Sequence, residues 1–536
     1  MIRIGILLDS LTLQAWQTET IRQIMHTQFA EIGLLIVNQR PKPSGNPSPF
    51  LYKTYRKIDR ILFKTELEDA FTNESIFSVL DKSTKQLQVI PVQKKFSDYI
   101  QAEDIAQIKS QNLDILLRFG FRILKGEILN SAKYGIWSFH HGDPEYYRGG
   151  PPAFWEVMNA QNLTGSVLMQ LSESLDQGKI LYQSWSQTDP LSVQRNANRT
   201  FWTSAFFVSR VLNQIRHGRE QNWLNQLEKQ NTPIKSQLLA PPNTLKMAQL
   251  WAKLLIRNLK RKIQESIKKP HWEVGLVKRE EWDISQPLNW DNINILENPN
   301  SSKTFWADPF PIKTADRTFA FLEEWDKKKK KGRISLWEKG KEPKAILEEP
   351  WHLSYPFLWK EKEQFYLIPE SAAAGKLYRY EALDFPDSWK PGEEFFPGEA
   401  FDPTIWKTDE GYWLFVNQKA HPACSPFDEL YLYFSESWEK PEWKSHPQNP
   451  IVSDVRKSRP TGSLFVHDGK LYRPTQDSEL RYGHRIRIQE VIQLDRNTYR
   501  EQEANILNPP LKNGILGMHT INFTEDIVYL DFYSRR

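Results

Sequence analysis

The sequence predicts an α/β domain of Rossmann-like order followed by an all-β propeller of five blades. A compact apolar strand from Ile2 to Leu8 precedes an amphipathic helix from Gln14 to Phe29, which is how a doubly wound sheet begins. From residue 271 onward, similar aromatic strand segments recur at intervals close to the ~50 residues of some propeller blades. We therefore divide the 536 residues into an α/β domain over 1–217, a helical linker over 218–270 and a propeller over 271–536.

Charge and cysteine content narrow the class of protein. The 71 basic residues nearly balance the 66 acidic ones, which argues against a surface that tracks nucleic acid. The single cysteine, Cys424, leaves no intramolecular disulfide and suits a reducing compartment. No apolar run reaches the ~20 residues of a membrane span, and Met1 to Leu13 lacks the features of a signal peptide. We expect a cytoplasmic protein with no nucleic-acid partner and no transmembrane segment.

The first domain continues with further strands and a closing helix. Apolar segments predict strands over Leu34–Val37, Leu113–Phe121, Leu163–Leu171 and Lys179–Ser186, and helical spacing predicts a helix over Thr200–Arg216. The strand at Leu113–Phe121 ends in an aromatic-glycine step. This order of elements completes an α/β sheet.

The most informative stretch of the first domain runs from Gly135 to Pro152. Its apolar residues predict a short buried strand, which delivers Ser138, His140 and His141 to its carboxyl end before a Gly-Asp-Pro turn. In an open α/β sheet, ligands bind at that edge. The sequence therefore predicts a site here.

Three motifs give this stretch a family resemblance. They are Ser138-Phe139-His140, Arg148-Gly149-Gly150-Pro151-Pro152 and Leu175-Asp176-Gln177-Gly178. In order and spacing they resemble the folate-dependent formyltransferases, whose signature is Asn-x-His, then Arg-Gly-x-x-Pro, then Leu-Asp-x-Gly. The resemblance covers roughly residues 1–217 and is strongest over 110–190.

The resemblance implies an enzyme that transfers a formyl group from 10-formyltetrahydrofolate to an amine. His140 would carry the proton and Asp176 would orient the imidazole or an ordered water. It further implies cofactor contacts at Phe119, Gly120, Phe121, Leu175 and Gly178, and acceptor contacts at Arg148 and Gly149.

One residue departs from the family pattern. Ser138 stands where the family has an asparagine amide that polarises the formyl oxygen, and loss of one such donor costs ~100 to 1,000-fold in rate. The adjacent His141 either supplies the donor as an imidazolium or only caps the turn at Gly142, and both interpretations stay open. The loop before Arg148 lacks the family's Leu-Leu-Pro, which favours an amino sugar over initiator tRNA as the acceptor.

A basic amphipathic helix is predicted over Thr244–Ile267. Its apolar stripe consists of Met247, Leu250, Trp251, Leu254, Leu255 and Leu259. We interpret it as a helix docked between domains. The alternative is a peripheral contact with a membrane surface, because Lys and Arg dominate its other face.

The propeller prediction rests on five strand-leading segments. Each begins a unit of several aromatic strands, and Trp272 to Leu276 has the character of the strand that the fifth unit lacks. The layout resembles the five-bladed superfamily of arabinanase- and xylosidase-type glycosidases. If the leading segments converge on the axis, they bring together the side chains of Asp308, Tyr355, Asp402, Arg459 and His519, with Glu323, Glu324 and Glu370 nearby.

We interpret these axial residues as a glycan- or ligand-binding site rather than a hydrolase site. The family's glycosidases use three carboxylates there, and Tyr355 stands where the second blade would give an aspartate. The sequence shows no glycine-rich phosphate loop and no Cys/His metal spacing, so no metal is expected. The leading hypothesis is N-formylation of a nucleotide- or glycan-linked amino sugar. The alternatives are a non-catalytic carbohydrate-binding protein and a propeller glycosidase or glycosyl transfer enzyme.

Overall fold

A computed structural model describes most of the chain as two compact units. The described residues are 1–40, 48–63, 69–173, 178–216, 220, 224, 227, 238–267, 269–282, 284, 293–314, 317–510 and 514–535. The first unit consists of Met1–Lys260 with Ala420–Ser425, and the second of Arg261–Lys419 with Pro426–Arg536. None of the described helices is long and apolar enough to cross a membrane.

The first unit is built on a seven-stranded sheet. In chain order its strands are β1 Ile2–Leu8, β2 Ala30–Asn38, β3 Gln86–Val89, β4 Ile115–Arg118, β5 Ile136–His140, β6 Leu163–Gln170 and β7 Lys179–Gln187. Their order across the sheet is β7-β6-β5-β4-β1-β2-β3. The pairs from β3 to β5 are parallel, whereas β6 is antiparallel to both of its neighbours. The predicted α/β sheet is therefore present.

Helices and short strands complete the first unit. The helices are α1 Ala15–His26, α2 Phe50–Leu62, α3 Ala102–Lys109, α4 Trp155–Met158, α5 Val193–Ser204, α6 Phe207–Gln214 and α7 Thr244–Ile267, with 3-10 turns at Ile76–Ser78 and Glu127–Asn130. The last seven residues of α7, from Arg261 onward, belong to the second unit. The short strands are Thr12–Gln14, Asn73–Ser75, Val92–Lys94, Ser97–Tyr99, Ile123–Leu124, Arg148–Gly149 and Leu238–Leu239. The continuous apolar character of β1 follows from its position, because both faces of a central parallel strand are buried.

The helix predicted over 200–216 is in fact two helices, and it begins earlier. Ser192 caps α5, since its hydroxyl accepts a hydrogen bond from the Arg195 amide. The polar residues of α5 concealed the helix in the sequence. One of them, Asn196, is fully buried and donates to the carbonyl of Ala153 at 3.1 Å, so that α5 holds the loop that follows the signature strand.

The helix α7 has the predicted bounds but not the predicted buried stripe. Met247, Leu250 and Leu254 are buried, as predicted. Leu255 and Leu259 are exposed instead, because the apolar residues of this helix cover more of its circumference than one packed face.

The second unit consists of five antiparallel sheets. The first sheet contains Pro270–Lys278, Asn294–Ile295, Ile515–Gly517, Ile521–Phe523 and Ile527–Arg535. The second contains Thr304–Lys313, Thr318–Asp326, Lys331–Glu338 and Lys344–Leu347, and the third contains Ser354–Glu361, Gln364–Glu370, Lys376–Asp384, Ser388–Trp389 and Glu393–Pro397. The fourth contains Phe401–Thr408, Gly411–Asn417, Glu429–Ser435, Lys444–Ser445 and Val452–Ser453, and the fifth contains Arg459–Pro460, Phe465–His467, Lys470–Asp477, Arg485–Leu494 and Tyr499–Leu507. Aromatic and aliphatic side chains fill the space between the sheets.

The first sheet joins the two ends of the second unit. Strand Pro270–Lys278 pairs antiparallel with Ile527–Arg535 along its whole length. This confirms the prediction that an early strand completes the last repeat. Val274, in the middle of the strand, is fully buried against Trp306 and Tyr529.

We expect Val274→Asp to destabilise the second unit by about 3 kcal/mol or more, because it places an unpaired charge in the core beside the closing strand. Denaturant unfolding of the full chain measures this. Lys278→Gln, at the exposed end of the same strand, is the control and should stay within about 0.5 kcal/mol. Equal effects of the two changes would show that the strand contributes nothing to the core.

Candidate functional site

His140 lies at the carboxyl end of β5, where the sequence predicts the site. Its side chain is partly exposed, and its Nε2 lies 2.8 Å from the carbonyl oxygen of Tyr147. Because a carbonyl only accepts, Nε2 carries the hydrogen. The backbone of the following loop thus fixes both the ring orientation and the tautomer of His140.

The loop after His140 is held by main-chain contacts. Arg148–Gly149 pairs in parallel with Leu238–Leu239. Gly149 has φ +82°, and a side chain there would overlap the carbonyl of Leu239, so this position requires glycine. The predicted Arg-Gly motif therefore serves first to set the path of the loop.

A buried carboxyl group lines the small pocket behind this loop. Glu156, on α4, lines the pocket together with Arg148 and Gly149. Burial, reinforced by the nearby Asp143, raises the pKa of Glu156 to about 7. Its Oε1 has no hydrogen-bond partner among the described residues. A carboxyl group that titrates near neutrality is characteristic of functional sites.

Ser138 forms a pair with an arginine on the neighbouring strand. Arg118 Nη1 donates to Ser138 Oγ at 2.9 Å, and Arg118 Nη2 donates to the carbonyls of Phe121 and Arg122 at 3.0 and 3.1 Å. Since Ser138 accepts from a cation, its own hydroxyl hydrogen is directed elsewhere and is polarised. The serine in the asparagine position therefore belongs to a Ser-Arg pair.

The surroundings of His141 favour the neutral imidazole over the imidazolium, and its side chain contacts Ser204 rather than the turn at Gly142. Burial, with a smaller contribution from His140, lowers the pKa of His141 to about 3. Its ring stacks on Phe201 at 3.6 Å, and its Nε2 lies 2.9 Å from Ser204 Oγ. Because Ser204 donates to the Phe201 carbonyl, the neutral His141 donates to Ser204. The imidazole is a packed structural group.

Three of the predicted cofactor residues, Phe119, Gly120 and Phe121, directly follow β4. Gly120 packs so closely on the backbone of Asp9 that a side chain would overlap it, which brings the ends of β1 and β4 together. Phe119 is partly buried and stacks on Phe139. The side chain of Phe121 is buried in the core, and its cofactor contact stays a prediction.

The later motif lies largely outside the described residues. Leu175 and Asp176 are not described. Gly178 is described, and a side chain there would overlap the carbonyl of Gln170. The roles assigned to these three residues remain predictions.

In the second unit, the structure brings the leading residues of all five sheets into one buried network, which we call the axial cluster. It contains Asp308, Tyr355, Asp402, Arg459 and His519. Arg459 pairs with Asp402, His519 lies between Asp308 and Asp531, and the Tyr355 amide donates to Asp308 at 3.0 Å. Glu370, predicted to lie nearby, accepts from the Ser354 hydroxyl and the Ala372 amide.

Backbone strain marks the same positions. Asp308, Tyr355 and Asp402 have φ of +49°, +44° and +49°, each at an irregularity in strand pairing. Such values are costly for residues with a side chain and concentrate at functional sites. Three consecutive sheets thus aim their leading side chains in the same strained way.

The acids of the axial cluster resist ionisation. Burial raises the pKa of Asp308, and the carboxylates of Asp531 and Asp402 add to this while His519 opposes it. Burial, then Asp308, raises the pKa of Glu323 well above its usual range. Burial disfavours the His519 imidazolium, yet the carboxylates of Asp531 and Asp308 raise its pKa overall. Glu324 is directed to Arg333 and Ser335 instead and is not part of the cluster.

Asp308, His519 and Asp531 also present three potential ligand atoms within 4.8 Å of one another. The ion pairs of His519 with both carboxylates account for this arrangement.

Aromatic side chains border the axial cluster. Tyr482, which is 39% exposed, has its ring 5.0 Å from that of His519 and lies beside the Arg459 guanidinium. Phe427 lies on the same guanidinium at 4.8 Å. The exposed Tyr482 ring therefore places an apolar face beside charged groups.

A larger cavity lies between the first and second sheets. Its volume is about 860 Å³, and its lining includes Glu273, Glu297, Trp306, Trp337 and Glu342. The Trp306 indole Nε1 has no hydrogen-bond partner among the described residues. The sequence analysis did not anticipate this cleft.

The sequence analysis did not identify three residues whose side chains could take part in binding or catalysis. Arg118 had a signal, because it is the one charged side chain in the apolar segment between Ile115 and Phe121. Glu156 also had one, as a single acid in an apolar turn. Tyr482 had none, since its place beside His519 depends on the tertiary structure.

Each unit is similar in sequence to known proteins. Residues 268–515 match the sequence model of a family described as glucosamine inositolphosphorylceramide transferase 1, N-terminal. The chain is 33% identical over 233 residues to glucosamine inositolphosphorylceramide transferase 1 of Arabidopsis thaliana, which covers 42% of this chain and 30% of that protein. It is 28% identical over 135 residues to a methionyl-tRNA formyltransferase of Prochlorococcus marinus (strain MIT 9312), which covers 24% of this chain and 40% of that enzyme.

Among solved structures, the family 117 glycoside hydrolase Zg3597 of Zobellia galactanivorans overlaps 49% of this chain and 91% of its own chain, with a TM-score of 0.31 and 11% identity. The sequence match to methionyl-tRNA formyltransferase shows that the N-terminal region of the chain is formyltransferase-like. The second unit matches the N-terminal region of a transferase family, of whose plant member the chain spans 30%.

The pKa of Glu156 generates a prediction about stability. A folded pKa of about 7, above the ordinary value near 4.5, means that the folded state loses stability as the pH rises from about 4.5 to 7. We expect Glu156→Gln to raise the melting temperature at pH 8 and to change it little at pH 4.5. The corresponding gain in unfolding free energy at pH 8 is at most about 3 kcal/mol. Thermal unfolding from pH 4.5 to 8.5 measures this, and a pH-independent difference would contradict it.

Proposed function

We propose that the first unit transfers a formyl group from 10-formyltetrahydrofolate to the amine of an amino sugar, and that the second unit binds the glycan. The observation that carries the first part is His140, oriented by the Tyr147 carbonyl at the carboxyl end of β5. The formyltransferase-like sequence of this region supports it. The relatives of the second unit are named for transfer of glucosamine, which is itself an amino sugar.

The sheet topology fits a folate donor. From β1 the chain continues to β2 on one side and later to β4 on the other, so the carboxyl ends of β1 and β4 flank the crossover at which such sheets bind ligands. Phe119 and Gly120 lie at that crossover, one strand away from Ser138 and His140. When bound there, the donor supplies the formyl group and the nitrogen that leaves.

The residues of the chain perform the remaining steps. His140 takes the proton from the attacking amine as the new C–N bond forms, and returns a proton to the leaving nitrogen as the old C–N bond breaks. The Ser138 hydroxyl, polarised by Arg118, donates to the oxygen that becomes negative between these steps. The Ser-Arg pair thereby performs the role of the family's asparagine amide.

We expect His140→Ala to abolish formyl transfer while folate still raises the melting temperature of the protein, because His140 acts on the proton and not on the pterin. Release of tetrahydrofolate with a panel of free, nucleotide-linked and lipid-linked amino sugars measures activity. His467→Ala, a partly exposed histidine of the second unit, is the control. A wild-type protein that neither binds folate nor releases tetrahydrofolate would refute the proposal.

We expect Ser138→Ala to lower kcat by ~100 to 1,000-fold with little change in KM, because it removes a donor that acts on the transition state. Ser138→Ala is a small change at a buried site, and circular dichroism checks the fold. A variant with near-wild-type kcat would show that another group holds the oxyanion.

We further propose that the five sheets are the five blades of a propeller and that the axial cluster, bordered by Tyr482, is its glycan site. Contacts between leading residues of different sheets support the convergence, as do the strained φ values of Asp308, Tyr355 and Asp402. The Tyr355 phenol hydrogen-bonds to the Gly462 amide and to Thr404, so the leading residue of the third sheet supplies no carboxylate. The arrangement favours binding over hydrolysis.

Tyr482→Ala should weaken glycan binding at least 10-fold, because it removes the aromatic ring that would stack on the sugar. Trp337→Ala, in the cleft between the first and second sheets, is the matched control. Binding of amino-sugar oligosaccharides to the full chain, measured by calorimetry, distinguishes the sites. Loss in Trp337→Ala alone would move the glycan to the cleft.

A further inference from the structure

Helix α7 exposes a long apolar face. Leu255, Ile256 and Leu259 are each more than half exposed, and the same face continues with Leu245, Ile263 and Ile267. At 100° per residue these six side chains fall within about 120° of the helix circumference. The face is separate from the buried side, which carries Met247, Leu250 and Leu254. Isolated exposed aliphatic residues are ordinary, but a continuous row of six is typical of a binding surface.

Lysines border this apolar face. Lys246, Lys253 and Lys260 lie along one edge and Lys262 along the other. All four are exposed, and no ion pair is found for them among the described residues. The helix thus presents aliphatic side chains with positive charges on both sides.

A second helix of the first unit has the same character. In α2, Phe50, Ile61 and Leu62 are 79%, 66% and 69% exposed, and Ile58 lies on the same side. The basic residues of α2 are Lys53, Arg56, Lys57 and Arg60.

The two helices are neighbours. Tyr55 of α2 and Trp251 of α7 are in ring contact at 5.5 Å, and both helices pack on one buried cluster that includes Phe154 and Val157. The first unit therefore carries α2 and, as far as Lys260, α7 side by side.

We propose that α2 and α7 form a docking surface for an anionic lipid bilayer. Amphipathic helices with lysine-rich borders lie in the headgroup plane and bury their aliphatic side chains in the acyl boundary. A second copy of the chain fits this face less well, because a two-fold contact would set the same lysine-bordered face against itself. Anionic headgroups complement the charges instead. The proposal stands apart from formyl transfer, although it would place the first unit where lipid-linked sugars are found.

Vesicle flotation of the full chain tests the proposal. We expect binding to vesicles of phosphatidylcholine mixed with phosphatidylglycerol, at least 10-fold weaker binding to phosphatidylcholine alone, and loss of binding at high salt. The double variant Leu255→Ser/Leu259→Ser should lose at least 10-fold in affinity, since it removes apolar area from the face. Leu383→Ser, at one of the exposed leucines of the second unit, is the control and should bind as the wild type does.

Both serine variants replace exposed residues, so their melting temperatures should match that of the wild type. No binding to the mixed vesicles would overturn the proposal. So would a wild-type dimer that becomes monomeric in the double variant without vesicle binding, because the face would then be an interface between copies. Equal binding to both vesicle types would overturn the anionic part of the proposal.

Discussion

The second unit depends on one buried carboxylate, Asp531. It accepts hydrogen bonds from the amides of Asp308, His519 and Thr520 at 2.9 to 3.0 Å and pairs with the His519 imidazole at 2.7 Å. A fully buried charge is tolerated only when it is satisfied in this way, because an unpaired one costs several kcal/mol. Asp531 thereby joins the last strand of the chain to the leading residue of the second sheet. Asp308 passes the connection on to Tyr355 in the third sheet.

The sequence indicated which leading residues would lie close together in the second unit. It did not indicate contacts of residues outside the repeated pattern whose partners lie far away along the chain. The leading residues of the five repeats and the closing strand around Val274 follow from periodic patterns, and the structure contains both. Asp531 gave no such signal, because its partner Asp308 is 223 residues away and is brought to it by the sheets. The Arg118–Ser138 pair depends in the same way on the register of two neighbouring strands, which single-sequence reasoning does not provide.

Burial, more than residue type, determines what the signature histidines are able to do. His140 and His141 are adjacent in sequence and were both candidates for proton or hydrogen-bond chemistry. His140 lies partly exposed at the sheet edge with its tautomer set by a backbone carbonyl, whereas His141 points into an aromatic cluster that lowers its pKa to about 3. His140 is the last residue of β5, whereas His141 follows the strand and stacks on Phe201. The same reasoning applies to α7. An apolar stripe in the sequence shows that a helix has an apolar face, but it does not show whether protein or a lipid bilayer covers that face.

The candidate site and the docking surface share their packing. Val157, on the short helix that follows the Arg-Gly-Gly loop, lies in the same buried cluster as Met247 and Leu254 of α7. The Arg257 guanidinium of α7 also donates to the Val157 carbonyl at 2.7 Å. Docking of α7 on a bilayer would therefore place the helix that carries Glu156 close to that bilayer. Under both proposals, an acceptor amine on a lipid-linked sugar would approach the part of the first unit that contacts the bilayer. The transfer chemistry and the surface that supplies its substrate would then be properties of one continuous packing arrangement.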